Sequence, residues 1–263
     1  MKKAIKFFFV IVYLPLFLSA CANLDKLKGS NEPAVMYKNY PEERLFAEGE
    51  NSLANKKYTD TIKYFEALDA LYPFGEHSQQ AQLQIIWAYY KTEDFASAEA
   101  AADRYIHLYP RDEHVDYAYY MKGLSELKAN KNFFQRVFPI DESSRDLDSA
   151  KEAFFTFNDL IQLMPDSPYV PDARQRMIYL RSMFAKQEID IGEYYFKRKA
   201  YVAAANRASY IIQHYQGTPQ VEAALVLSVK ANRYLGANQA AEDAFRVLAA
   251  NYPNSPDVKK LGQ

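Results

Sequence analysis

Cys21 is the single cysteine of the 263-residue chain, and the residues around it assign it a chemistry. Leu18, Ser19 and Ala20 precede it. The two small side chains leave the following bond open to a peptidase, and a cysteine thiol at that place is the nucleophile by which an envelope lipoprotein accepts diacylglycerol. Upstream, Lys2, Lys3 and Lys6 lead into the apolar run Phe7–Leu18. That run falls short of the roughly 20 apolar residues a membrane-spanning helix needs. Residues 1–20 therefore read as a cleaved export signal, Cys21 as the lipid-attachment site, and the membrane as a partner reached through that lipid. With one cysteine no disulfide can form within the chain, so burial must hold the fold together.

The remaining residues hold no catalytic constellation. His77, His107, His114 and His214 are not paired as HExxH, stand beside no cysteine, and belong to no carboxylate cluster with metal-ligand spacing, so no metal is expected. His77 and His114 each follow a proline, Pro73 and Pro110, by four residues, where loop capping is expected of them. Eight glycines supply no GxSxG elbow, phosphate-cradling loop or dinucleotide fingerprint, so no cofactor is expected and the chain reads as a non-enzyme. The formal charge of −1 becomes slightly more negative once the leader lysines are gone, which argues against a nucleic-acid partner.

What must position any binding residue is a repeat. Five segments end alike, in Leu71-Tyr72-Pro73, Leu108-Tyr109-Pro110, Leu163-Met164-Pro165, His214-Tyr215-Gln216 and Asn251-Tyr252-Pro253. Eleven residues before each central position stands a small side chain: Thr61, Ala98, Ala153, Ala204 and Ala241. Phe65, Ala102, Phe157, Ala208 and Phe245 follow four residues later, and Leu68, Tyr105, Leu160, Ile211 and Leu248 three beyond those, an i, i+4, i+7 stripe. Ala81, Ala118, Ala173 and Ala224 open the next helix at a fixed distance. Two antiparallel helices approach closely only where one presents a small side chain, and proline ends the second helix because it has no amide to donate. One such pair cannot bury its own apolar face, whereas stacked neighbours can. The fold class expected is all-α, a helical-hairpin solenoid of five repeats similar to tetratricopeptide repeats.

The repeats are not evenly spaced. Residues 123–147 interrupt the array between repeats two and three without a clean helical period, and Met177–Lys199 keeps helical spacing as an extended first helix. The expected organisation is a signal at 1–20, a flexible lipidated tether at 21–40, repeats one and two at 41–122, the insertion at 123–147, and repeats three to five at 148–263. Among binding features, Trp87, Tyr89, Tyr90, Phe95 and Tyr105 are mostly repeat core, with a remainder on a concave face able to take an extended peptide. Lys197-Arg198-Lys199 caps a helix end, or forms a rim for an acidic partner. Arg207, beside the Ala204, Ala208, Ile211 stripe, emerges at a helix edge as either a protein contact or a solvated arginine.

Several runs go beyond the repeat: Tyr72-Pro73-Phe74-Gly75, Ser78-Gln79-Gln80-Ala81-Gln82-Leu83, Ala88-Tyr89-Tyr90-Lys91, Asp103-Arg104-Tyr105-Ile106, Glu193-Tyr194-Tyr195 and Asn206-Arg207. With these the chain resembles the BamD (ComL) family, lipoproteins of the outer-membrane β-barrel assembly machinery. The resemblance implies an anchor on the periplasmic face of the outer membrane and a place in a complex with BamA and companion Bam lipoproteins. It implies Arg207 as a BamA contact, and Tyr72, Phe74, Gln79, Gln80 and Tyr89 as a groove for the C-terminal segments of unfolded outer-membrane proteins. Gln216, where the family pattern has proline, departs from it, as does Ile140–Ser144, which is less basic than the family's segment. The alternative is another repeat lipoprotein of the envelope, assisting secretin and pilus assembly or coordinating cell-wall synthesis.

Overall fold

The small residues and prolines of the repeat act through the turns they permit. The computed structural model describes residues 33–129 and 147–262, and every regular element among them is an α-helix. The helices are α1 (Pro33–Met36), α2 (Glu42–Ala54), α3 (Tyr58–Leu71), α4 (Ser78–Lys91), α5 (Phe95–Leu108), α6 (Val115–Ala129), α7 (Asp148–Leu163), α8 (Val170–Lys197), α9 (Tyr201–His214), α10 (Gln220–Tyr234), α11 (Asn238–Asn251) and α12 (Pro256–Leu261). They form two compact units, one up to Met121 and one from Lys122 onward. The signal, Cys21 and residues 130–146 of the insertion lie outside the described residues.

In the first unit α2 pairs with α3 and α4 with α5; in the second α8 pairs with α9 and α10 with α11. Each pair closes through one residue in the left-handed region, Lys56, Glu93, Lys199 and Gly236 respectively, at φ 58, 63, 63 and 72°. The following amide then reaches back five residues: Lys57 N–H to Ser52 O at 2.8 Å, Asp94 to Tyr89 at 3.0 Å, Ala200 to Tyr195 at 3.0 Å and Ala237 to Asn232 at 2.9 Å. This bond satisfies carbonyls that a helix end leaves open.

The stripe residues behave as the packing argument requires. Ala98, Ala153 and Ala204 are fully buried, as are Leu68, Leu160, Ile211 and Leu248. Thr61 takes the small position by donating its hydroxyl to Lys57 O at 3.2 Å, so its polar atom is satisfied within its own helix. At Gly49 an added Cβ would stand 2.2 Å from Phe65. In the equivalent place of the next repeat the sizes are exchanged, with Ile86 and Ala102 both buried. Where Gln216 replaces proline, the turn still forms, with Tyr215 N–H on Ile211 O at 2.9 Å and Gly217 taking φ 80°.

Two stretches differ from expectation. The tether assigned to 21–40 is docked from Pro33 onward: Tyr37 lies 4.9 Å from Tyr64 between ring centroids, and the Tyr72 hydroxyl donates to Tyr40 O at 2.9 Å. The composition of the segment is polar, but two tyrosines suffice to pin its end. The insertion assigned from residue 123 begins as helix, because α6 runs to Ala129. Leu124, Ser125 and Glu126 are consecutive and all buried, so that turn shows no one-sided apolar stripe to read. The helical spacing of Met177–Lys199 falls almost wholly within α8, a 28-residue helix about 42 Å long at 1.5 Å per residue, which packs against α7, α9 and α10.

Candidate functional site

In the first unit, the loop from α3 to α4 and the start of α4 carry four of the five groove residues named above. Tyr72 ends α3, and its hydroxyl is committed to Tyr40 O. Phe74 is wholly exposed at the loop tip, a large apolar side chain with nothing over it. Gln80 is exposed, while Gln79 donates to Asp112 Oδ2 at 2.6 Å. Asp112 also accepts the Tyr105 hydroxyl at 2.7 Å and the His114 amide at 2.8 Å. Burial pushes the Asp112 carboxyl up, but those donors outweigh it and hold it below the usual carboxylate range. Burial, aided by Asp112, raises the Tyr105 phenol.

The histidine expectation needs correction here. His77 does stand at the start of α4, but its ring makes no cap and stacks on Phe46 at 4.3 Å instead. Its backbone N–H donates to Glu42 Oε1 at 2.6 Å. At the equivalent loop, His114 likewise contributes its backbone amide to Asp112. The capping atoms are thus backbone donors and carboxylate acceptors, not imidazoles.

Tyr89, ten residues along α4 from Gln79, is about 15 Å away down the helix axis. It lines a cleft of about 340 Å³ that opens between α3 and α5, with α4 as floor. Phe65, Ile85 and Ala101 form apolar wall, and Glu66, Asp69, Gln82, Tyr89 and Arg104 supply the polar atoms. The Tyr89 hydroxyl donates to Glu66 Oε1 at 2.6 Å. Burial, then that bond and the charge of Glu66, push the Tyr89 phenol far up, so it remains a donor. Asp69 Oδ1 accepts Gln82 Nε2 at 2.6 Å and also pairs with the Arg104 guanidinium. Of the five residues, only Tyr89 enters this cleft. Glu66, Asp69, Gln82 and Arg104 were not singled out from sequence; the available signal was the i, i+3 spacing of the two carboxylates on one face of α3.

Arg207, in the second unit, is not a bare edge arginine. Its Nη1 donates to Glu188 Oε2 at 2.7 Å, joining α9 to α8, with the arginine side chain 41% exposed and the glutamate 17%. Arg181 donates to His214 O at 3.1 Å nearby, and Tyr215 is pushed up to about 12 by burial, then Tyr210 and Glu188. Lys197 lies in the last turn of α8, where its charge meets open carbonyls. Arg198 follows as the cap, its guanidinium turned back onto the Tyr194 hydroxyl at 3.1 Å. Of the aromatic run, Tyr105 is core, whereas Trp87 is 37% exposed, stacked beside Tyr90 with Lys91 Nζ 5.0 Å from its ring.

Among the described residues no group of three or more His, Cys, Asp or Glu side chains could hold a metal, and no helix is long and apolar enough to cross a membrane. Packed helical hairpins with small-residue contacts, presenting polar clefts and charged edges, define an α-helical repeat scaffold of the tetratricopeptide type. The comparisons are narrower. A family profile described as outer membrane lipoprotein, YfiO, matches residues 38–248. The chain is 37% identical over 249 residues to a Neisseria meningitidis serogroup B protein named "Outer membrane protein assembly factor BamD", covering 95% of this chain and 92% of that one. Proteins of the same name match from Vibrio cholerae (33% identity, 89% and 97% covered) and Haemophilus influenzae (34%, 82% and 86%). The chain belongs to the BamD family of outer-membrane lipoproteins, as its own motifs had implied.

Proposed function

We propose that this chain is a non-catalytic assembly factor for outer-membrane proteins, anchored through lipidated Cys21 on the periplasmic face of the outer membrane. The observation that carries this is likeness along almost the whole chain to proteins bearing that name. The first unit captures an extended segment of an unfolded outer-membrane protein, using the exposed Phe74 and the polar residues of α4. The second unit docks BamA, with Arg207 as the contact and Glu188 holding its guanidinium in place until then. Companion Bam lipoproteins complete the assembly. No bond chemistry is needed, because holding peptide and insertion machinery together raises their effective concentration, an effect worth about 10²–10⁴ in overall binding.

The test is binding of the purified mature chain to a peptide that ends in an aromatic residue. Removing that residue weakens binding under this proposal; unchanged affinity counts against capture by the first unit.

A further inference from the structure

We infer that the cleft between α3 and α5 takes a basic side chain, lysine or arginine, from the extended segment the first unit captures. The inference rests on the capture proposal and adds what this part of the unit selects.

The cleft carries two carboxylates, Glu66 and Asp69, against a single cation, Arg104. Arg104 is the cation of the site, and it is committed to Asp69. Glu66 is met by a phenol on Oε1, and no Lys or Arg lies within ion-pair distance of it among the described residues. Its second oxygen, Oε2, has no hydrogen-bond donor there either. Gln82 is 8% exposed, lines the same cleft, and has its Nε2 fixed by Asp69 and by Ser78 Oγ at 3.1 Å. That orientation leaves Oε1 an acceptor with no partner. A half-buried carboxylate without a counter-ion is unfavourable, and a cationic donor beside Glu66 relieves it.

Shape agrees with charge. Phe65, Ile85 and Ala101 offer apolar wall to an aliphatic stem, and Glu66 lines the same cleft for its charged head. A terminal carboxylate would face Glu66 with an arginine already engaged, so the end of a captured chain does not belong here. An apolar side chain would fill the wall but strip water from Glu66 without replacing it.

The experiment uses the detergent-solubilised mature chain and short peptides of alternating apolar and polar residues that end in an aromatic. One lysine is moved through successive positions, and each peptide is compared with its norleucine counterpart, which keeps the stem and drops the charge. In one register lysine binds about fivefold tighter. Glu66→Gln, which preserves an acceptor for Tyr89, removes that preference and leaves the dependence on the terminal aromatic. Arg104→Gln, by leaving Asp69 uncompensated, enlarges it. Wild-type chain that binds lysine and norleucine peptides equally in every register, yet still needs the aromatic, overturns the cleft assignment and spares the capture proposal. Failure to bind any of the peptides overturns capture itself, and the cleft assignment with it.

Discussion

The Arg207 guanidinium already has a carboxylate, and that sets how it can be tested. Changing it to glutamate would place two carboxylates between α8 and α9, the second of them, Glu188, mostly buried. Arg207→Glu is therefore expected to cost about 1 kcal/mol of stability as well as weakening association with BamA's periplasmic domains. The exchanged pair Arg207→Glu with Glu188→Arg separates the effects: urea unfolding returns towards wild type while binding stays weak. Recovery of binding by the exchange would show that only the internal pair mattered. Asp112 makes a second prediction. Its folded-state carboxyl titrates below the usual carboxylate range, so the group stabilises the fold at pH values above that range, and the contribution is lost as pH falls through the depressed range. Asp112→Asn should thus be less stable than wild type at pH 7, with the gap closing towards pH 3 in thermal melts; a gap independent of pH would refute the linkage.

At the scale of elements, the turns carry strain that glycine would relieve. Lys56 and Lys199 occupy the left-handed region at φ 58 and 63°, where a side chain costs about 1 kcal/mol and glycine little. Lys56→Gly and Lys199→Gly should each raise stability by up to about 1 kcal/mol in chemical denaturation. Gly49→Ala should act the other way: with Phe65 at 2.2 Å from the new methyl, overpacking is expected to cost about 1–3 kcal/mol. These elements were legible in the sequence because alanine and proline spacing reports close helix contact directly, as the buried Ala98, Ala153 and Ala204 show. The candidate cleft was not. Glu66, Asp69, Gln82 and Arg104 come from three helices, and a helix period says which face a residue occupies, not which polar partner it meets across the gap. The Glu188 partner of Arg207 escaped for the same reason, lying nineteen residues away on another helix. The docked end of the tether escaped because one ring contact and one hydrogen bond outweigh a polar composition.

For the whole molecule, the consequence of the lipid anchor proposed at Cys21 is a matter of reach. Pro33, where the described fold begins, lies twelve residues along the chain from Cys21. Fully extended those twelve steps span at most about 40 Å, so a lipid on Cys21 would keep the first unit within that distance of the membrane surface. Tyr37 and Tyr40 tighten this limit, since by packing on α3 they stop the chain from lengthening its leash by peeling away from the fold. Such confinement would raise the local concentration of the first unit, and lengthening the leash with Gly/Ser residues dilutes it as about the −3/2 power of length. Doubling the tether is therefore expected to lower outer-membrane protein assembly by about threefold at most, whereas Cys21→Ala, which removes the anchor, should release the chain into the soluble envelope fraction and reduce assembly far more. Replacing Tyr37 and Tyr40 with alanine should resemble the lengthened tether and not the unanchored chain. A Cys21→Ala chain that still fractionates with the outer membrane and supports full assembly would mean that protein contacts alone hold it there, and the argument from reach would fail.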